Sequence, residues 1–317
     1  MNTIKMHDQN GGTDFMVRVP KFKLSEVIVG ASDTVHPAFI VNGKEVDEIY
    51  ISKHQNTVCN GTAYSLPYQR PATNITYDAA LEACRRKGEG WHLMSNAEWA
   101  AIALWCLKNG TIPRGNTNSG KHHIEKDERG LTYDGCDVLT GTGPAKWAHD
   151  HTEDGIYDLV GNVWEWVSGL RTFNGEFHII PDNNAALNLD ISKNSPEWQG
   201  TGYGYTMREC NETADDKFTL VEAKDLERGW NSTMFHELNS DVQTPELLTA
   251  LGLAPMTLDE LGCVWIDNNG ERIPLRGGCW SNESVACVFA LILLFTRSLA
   301  RTAFGFRSAF VNLKSAD

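Results

Sequence analysis

The sequence predicts an α+β domain of irregular antiparallel strands, and three observations carry that prediction. Helix signals cluster early, between Thr76 and Gly110. Beyond them the chain breaks into short β-prone runs cut by Gly, Asn and Asp, the texture of strands joined by tight turns rather than of a doubly wound sheet. Nowhere is there a repeat, a low-complexity block or a Pro-rich linker, so the simplest organisation is one large domain with an insertion.

Taken in order, residues 1–14 read as an N-terminal tail and the domain as 15–317, opening with a strand at Phe15 to Val19 and a second at Glu48 to Ile51. Thr76 is placed to cap a helix through Asp78, Leu81 and Cys84 that Gly88 can end. Ser95-Asn96-Ala97-Glu98 is a capping-box pattern, after which Trp99, Ile102, Ala103 and Cys106 recur at helical spacing up to Gly110. In a strand over Asn162 to Val167, the side chains of Asn162, Trp164 and Trp166 share one face and those of Val163, Glu165 and Val167 the other. Two neighbouring indoles mean core, and the Glu between them calls for a fixed polar partner. Residues 171–260, rich in Asn, Asp, Glu and Gly as at Pro181 to Asn184 and Cys210 to Asp216, read as an insertion with some local elements of its own. One of these is a short helix with Thr244 as cap, Pro245 at its first position and Gly252 at its close. Val264 to Ile266 and Val285 to Thr296 complete the strands.

Composition narrows the function. The 317 residues are 41% hydrophobic and 22% charged, which excludes disorder and fibre. A net charge of -13 repels phosphate backbones and anionic headgroups, so nucleic acid is not an expected partner. Met1 to Phe15 has no apolar segment of the kind a secretory signal needs, and the longest apolar run, Val285 to Phe295, falls short of the roughly 20 residues of a membrane helix. The eight Cys contain no C-x-x-C pair, so most read as small buried hydrophobes.

Several local patterns suggest chemistry and are better explained without it. His149-Asp150-His151 could ligate a metal, yet a solvated acidic loop accounts for it. Lys121-His122-His123 is no stronger, since adjacent His residues on a strand point to opposite faces. Gly141-Thr142-Gly143-Pro144 lacks the Lys-Ser/Thr of a phosphate loop and reads as a turn. There is no G-x-S-x-G elbow and no His-Glu-x-x-His. Cys279 and Cys287 would need a nearby cation such as Arg276 or Arg297 to become reactive thiolates.

Five blocks then appear in a meaningful order: Pro71 to Ala80, Leu93 to Trp99, Gly155 to Trp166, Leu275 to Gly278 and Gly305-Phe306-Arg307. Together they resemble the formylglycine-generating-enzyme-like branch of the C-type lectin fold, and the resemblance covers most of the chain outside the insertion. The enzyme of that branch uses two Cys after its Arg-Gly-Gly; aligned on Arg276-Gly277-Gly278, the first falls on Asn282 and the second on Cys287, so half of the copper-binding pair is missing.

The C-terminal segment is similar in more detail to the variable proteins of diversity-generating retroelements: Arg276-Gly277-Gly278, Trp280, Ala286 to Phe289, Arg297-Ser298 and Gly305-Phe306-Arg307. The resemblance implies a variable region over 276–310 with ligand-binding, diversified positions at Cys279, Ser281, Asn282, Val285, Cys287, Ile292, Leu294, Phe295, Leu299, Arg301, Ala303 and Phe304. It implies a fixed scaffold of Trp164, Trp166, Arg276, Gly277, Gly278, Trp280, Arg297, Gly305 and Arg307, with Arg297 and Arg307 making forked bonds to carbonyl or carboxylate groups. Adenine replacement in an Asn codon keeps a pyrimidine third base and so forbids Lys, Glu, Gln, Met and Trp; none of the twelve positions carries one of these. Along Val285 to Phe295 both strand parities are apolar, which by itself fits a central strand buried on both faces; the resemblance instead implies that Phe289, Leu291 and Leu293 face the core and that Ala290, Ile292 and Leu294, with Phe295 and Phe304, form a display face.

The family also implies a structural calcium held by Asp158 and Glu165 and by the carbonyls of Gly161 and Val163, while no cofactor is required. The function so implied is a non-enzymatic protein that binds a protein or other macromolecular ligand, without membrane insertion. Its expected location is a phage or viral particle, or the cytoplasm before assembly, the cell surface being less favoured without a signal peptide. A copper-dependent formylglycine-generating oxidase and a structural virion protein are the readings from other classes.

Overall fold

The computed structural model describes residues 1–208, 217–255 and 262–313. Its first sheet joins both ends of the chain. Strands Asn2–His7 and Thr13–Pro20 form an antiparallel hairpin, followed across the sheet by Glu48–Ser52, Ser308–Phe310 and Trp91–Leu93. The expectation of a tail at 1–14 is thereby corrected. The strand Asn2–His7 is mostly polar and half-buried, so its hydrophobic pattern is weak; the ladder and the Asp8 carboxylate, which accepts from the amides of Asn10 (2.9 Å) and Gly12 (2.7 Å), hold it.

Beneath this hairpin lies a buried ion pair. The Lys87 ammonium donates to Asp14 (2.7 Å) and to the Ser308 hydroxyl (3.0 Å) and sits 3.6 Å from the Trp91 ring centroid, with both charged side chains 0% exposed. Burial pulls the Lys87 amine down and pushes the Asp14 carboxyl up from their ordinary values, and each charge offsets part of the other's penalty.

The two early helices form as their caps predict. Thr76 Oγ1 accepts from the Ala79 amide (3.2 Å) to start Tyr77–Arg85, which stops short of Gly88. In Asn96–Asn109 the Ser95 hydroxyl accepts from the Glu98 amide (3.1 Å) while Glu98 accepts from the Ser95 amide (2.8 Å), and Gly110 closes the helix in the left-handed region at φ 65°. This second helix is buried on nearly every side, because its Trp99, Ile102 and Leu104 join a core shared with Ile49 and Ile51 of the first sheet and Leu291 and Leu293 of the second.

The second sheet runs Trp230–Met234, Cys263–Asp267, Leu291–Phe295, Glu271–Arg276, Leu170–Phe173, Glu176–Ile179, Gln199–Arg208, Lys217–Glu222 and Asn239–Ser240, with Trp164–Trp166 and Phe304–Phe306 branching from Glu271–Arg276. Most of its breadth comes from residues 171–260. The insertion is integral: its strands extend one side of the sheet, and Trp230–Met234 covers the opposite edge. Its polar composition hid these strands, whose stability comes from pairing rather than from pattern. The short helix is Glu246–Ala250, with Pro245 rather than Thr244 in the cap position and Gly252 at φ 62° beyond it. Cys210 to Asp216 lies outside the described residues. Among the described residues no helix is long and apolar enough to cross a membrane.

Two measurements test this packing. Asp14→Ala leaves the Lys87 ammonium buried without its counter-charge and is expected to cost about 3–5 kcal/mol in denaturant unfolding, most of which Asp14→Leu combined with Lys87→Met recovers. His36, fully buried, accepts from the Ala38 amide on Nδ1 (3.1 Å) and donates from Nε2 to the Ala250 carbonyl (2.9 Å), and burial pulls its pKa down to about 4. Its contribution to stability is therefore complete above the ordinary histidine value and is lost as pH falls from about 6.5 to 4. Unfolding curves across that window are expected to show a shallower pH dependence for His36→Gln than for the wild type.

Candidate binding surface

The segment 276–310 is fixed at three arginines. Arg276, buried, donates to Asn96 Oδ1 from Nε (3.0 Å) and Nη2 (2.8 Å), to the Phe289 carbonyl (3.1 Å) and to the carbonyls of Leu251 and Gly252 (both 3.3 Å). Among the described residues no carboxylate bonds to it, and burial lowers its pKa to about 9. Arg297 grips Glu271 with Nε (3.0 Å) and Nη2 (3.2 Å) and also reaches Asp78 (2.8 Å) and the Ile191 carbonyl (3.1 Å). Arg307 makes a fork to Glu165 (2.7 and 2.5 Å) and donates to the carbonyls of Ser52, Tyr157 and Asp158.

Gly277 and Gly278 adopt φ of 93° and 96°, and a Cβ at either would lie 2.6 Å from the Leu159 carbonyl or 2.4 Å from Ala286 Cβ. This tight passage delivers Cys279 to a turn that Asn282 closes by accepting from the Cys279 amide (2.8 Å). Strand Leu291–Phe295 then runs parallel to Cys263–Asp267 and antiparallel to Glu271–Arg276, setting Trp265 and Leu275 in register with Ile292.

One parity, Phe289, Leu291 and Leu293, enters the main core. The other enters a second apolar cluster and emerges from it gradually. Ala290 (0% exposed) and Ile292 (7%) are inside, whereas Leu294 lies half-buried on top, joined there by Phe295 from the end of the first parity. Of the twelve candidate positions, Ser281 and Arg301 are exposed and Asn282, Val285, Leu294, Phe295, Leu299 and Ala303 are half-buried. Cys279 (5%), Cys287 (3%), Ile292 and Phe304 (3%) are buried, which corrects the expectation that Ala290, Ile292 and Phe304 belong to a display face. They form its floor. Partly buried side chains from other segments, such as Trp265 and Leu299, pack against the same cluster, a circumstance that parity within one strand cannot express.

On that floor the Phe295 ring centroid lies 5.1 Å from that of Phe304, and the Arg301 guanidinium lies 5.4 Å from the Phe295 ring. Trp265, half-buried and edge-on to Trp164 at 5.6 Å, extends the same patch, as does half-buried Trp280. Sequence reasoning placed a strand at Val264 to Ile266 without singling out Trp265, although alternation with buried Val264 and Ile266 was the available signal. Trp164 and Trp166 are buried in the second cluster, and a Cβ on Gly305 would meet the Ala72 carbonyl at 2.8 Å.

Of the four residues suggested for calcium, Glu165 and Val163 are already engaged by protein groups. Both carboxylate oxygens of Glu165 are taken by Arg307, and the Val163 carbonyl and Glu165 Oε1 accept from Gln55 Nε2 (3.1 and 3.0 Å). Asp158, whose carboxyl burial pushes up to about 6, accepts from the Gly141 amide on Oδ2 (3.1 Å), and its buried Oδ1 has no partner among the described residues. Among the described residues no cluster of three or more His, Cys, Asp or Glu is arranged to hold a metal.

The remaining candidates are structural. Burial raises the Cys279 thiol, and Arg276, offered as its activating cation, is spent on Asn96 and carbonyls. His149 accepts from the Ile156 amide (2.8 Å), with its pKa lowered to about 4 by burial. The rings of His122 and His123 lie 4.4 Å apart rather than on opposite faces, because this segment bends and is not a strand. They line, with Arg114 and Thr117, a cavity of about 390 Å³ behind Ser284 to Cys287.

Residues 4–311 match the family described as the sulfatase-modifying factor enzyme 1-like domain. The formylglycine-generating enzyme of Bos taurus is 32% identical over 106 residues, 32% of this chain and 28% of that enzyme. The inactive Cα-formylglycine-generating enzyme 2 of Bos taurus is 29% identical over 104 residues, 31% of this chain and 32% of its own length. The chain thus matches about a third or less of these curated relatives. Similar solved structures include Treponema denticola variable protein 1 (TM-score 0.37, 12% identity, covering 97% of this chain and 98% of that one). PvdO from Pseudomonas aeruginosa gives a TM-score of 0.39 at 12% identity, with 98% and 99% covered, and the Major Tropism Determinant P3c variant 0.36 at 12%, with 98% and 72% covered. Since the family match runs through both sheets and both early helices, the chain belongs to the sulfatase-modifying factor enzyme 1-like domain family.

Proposed function

We propose that this chain is a non-enzymatic binder of a protein or other macromolecular ligand, with 276–310 as its variable region diversified by a retroelement, carried on a phage or viral particle. The observation that carries the reading is the division of labour along Leu291 to Phe304. Leu294, Phe295, Leu299, Arg301 and Ala303 sit over a buried floor, while Arg276, Arg297 and Arg307 tie the backbone to groups outside the patch. Side chains on such a surface can change without refolding the domain. Apolar and aromatic anchors at its centre would supply most of the binding energy.

The oxidase reading draws on the formylglycine-generating relatives. It is disfavoured because Asn282, in place of the first thiol, serves as a turn cap, and because Cys287 is buried.

Three outcomes discriminate. A near-copy of the DNA encoding Arg276 to Phe310, with Asn codons at the twelve positions and differences confined to its adenines, is expected beside the gene. Phe295→Ser and Leu299→Ser are expected to change unfolding free energy by less than about 1 kcal/mol, whereas Ile292→Ser and Phe304→Ser cost about 3 kcal/mol or more. No copper-dependent oxidation of a Cys-containing peptide is expected; turnover abolished by Cys287→Ser would establish the oxidase instead.

A further inference from the structure

The side chain of Gln55 is fully buried, and three oxygens converge on its Nε2: the Asp158 carbonyl (3.1 Å), the Val163 carbonyl (3.1 Å) and Glu165 Oε1 (3.0 Å). A primary amide nitrogen has two hydrogens, so three acceptors exceed what it can serve with separate bonds. The arrangement resembles a coordination shell more than a hydrogen-bonded pair. Its orientation is fixed, because Gln55 Oε1 accepts from Asn162 Nδ2 (2.8 Å) and the flipped amide would set an oxygen against three others.

The loop that supplies these oxygens is folded back on itself, with positive φ at Asp158 (61°), Gly161 (75°) and Asn162 (61°). The Asp158 and Val163 carbonyls of this loop converge on one buried point, where a donor or a cation must offset their desolvation. Val163 and Glu165 belong to the set that the family resemblance assigns to calcium. We propose that in this chain the Gln55 amide occupies the position of that ion, so that the Asp158–Glu165 loop is closed without metal.

Charge agrees with geometry. Hard oxygens attract a dication chiefly through their negative charge, and here the Glu165 carboxylate is already matched by the Arg307 guanidinium. Asn162 then passes the arrangement outward: its Oδ1 accepts from the Val138 amide (2.9 Å) and from Asn116 Nδ2 (3.2 Å). A neutral chain of amides thus replaces one charged centre. The inference is independent of any ligand bound by 276–310.

The test uses the full chain, with calcium and with terbium, whose luminescence Trp164 and Trp166 can sensitise. Wild-type protein is expected to unfold at the same temperature in chelator and in millimolar calcium, and to give no terbium signal that calcium competes away. Gln55→Gly vacates the cage and Gln55→Glu adds a second carboxylate to it. Both are expected to unfold earlier in chelator, to bind one terbium per chain, and to gain roughly 5 °C when calcium is a hundredfold above its Kd. A calcium-dependent midpoint in the wild type would overturn the proposal. So would failure of both variants to gain calcium rescue or terbium binding, including the case in which neither folds in either condition.

Discussion

Arg307 is the one residue between Phe304–Phe306, which pairs with Trp164–Trp166 in the second sheet, and Ser308–Phe310, which pairs with Glu48–Ser52 and Trp91–Leu93 in the first. At this crossing a guanidinium is wholly buried, a state that is tolerable only when its charge is matched and its N–H groups are hydrogen-bonded. The Glu165 fork matches the charge, the Ser52 carbonyl accepts from Nη1, and the carbonyls of Tyr157 and Asp158 accept from Nη2. Because those partners come from both sheets and from the Asp158 loop, the strand crossing, the loop and the relative placement of the sheets are set together. The candidate binding surface takes its geometry from that junction, since Phe304 is part of its floor and lies three residues away.

The second and third arginines divide the remaining work. Arg276 satisfies carbonyls at the ends of the chain segments that meet helix Asn96–Asn109, and Arg297 joins the loop after Leu291–Phe295 to Asp78 on one helix and Glu271 on a neighbouring strand. Glu271 also receives Arg171 (3.0 Å), whose guanidinium lies 4.5 Å from the Trp198 ring. The insertion is therefore fastened by side-chain contacts to the same carboxylate that holds the candidate variable segment.

Local chemistry was legible in the sequence where it is local in the structure. The Ser95–Glu98 box, the Thr76 cap and the paired indoles Trp164 and Trp166 each depend on residues within a few positions, and each is where its pattern puts it. Features that depend on distant partners were not legible. The strand Asn2–His7 has too few apolar side chains to show a period, and the insertion's strands are specified by their neighbours. In Ala290 to Phe295 every residue is apolar, so no pattern could say where the buried face ends and the patch begins. Gln55 carried no signal, because its role consists of oxygens more than a hundred positions away.

Ala290 to Phe295 is also the kind of uncharged, proline-free stretch that stacks into cross-β aggregates when its backbone is open. Here it is not open. Cys263–Asp267 bonds one side and Glu271–Arg276 the other, and the sheet's edge on that side is displaced outward to the polar strand Trp230–Met234. This apolar segment is thus denied the exposed amides that self-association requires. By lending an outer strand, the insertion keeps the stretch away from the edge of the sheet.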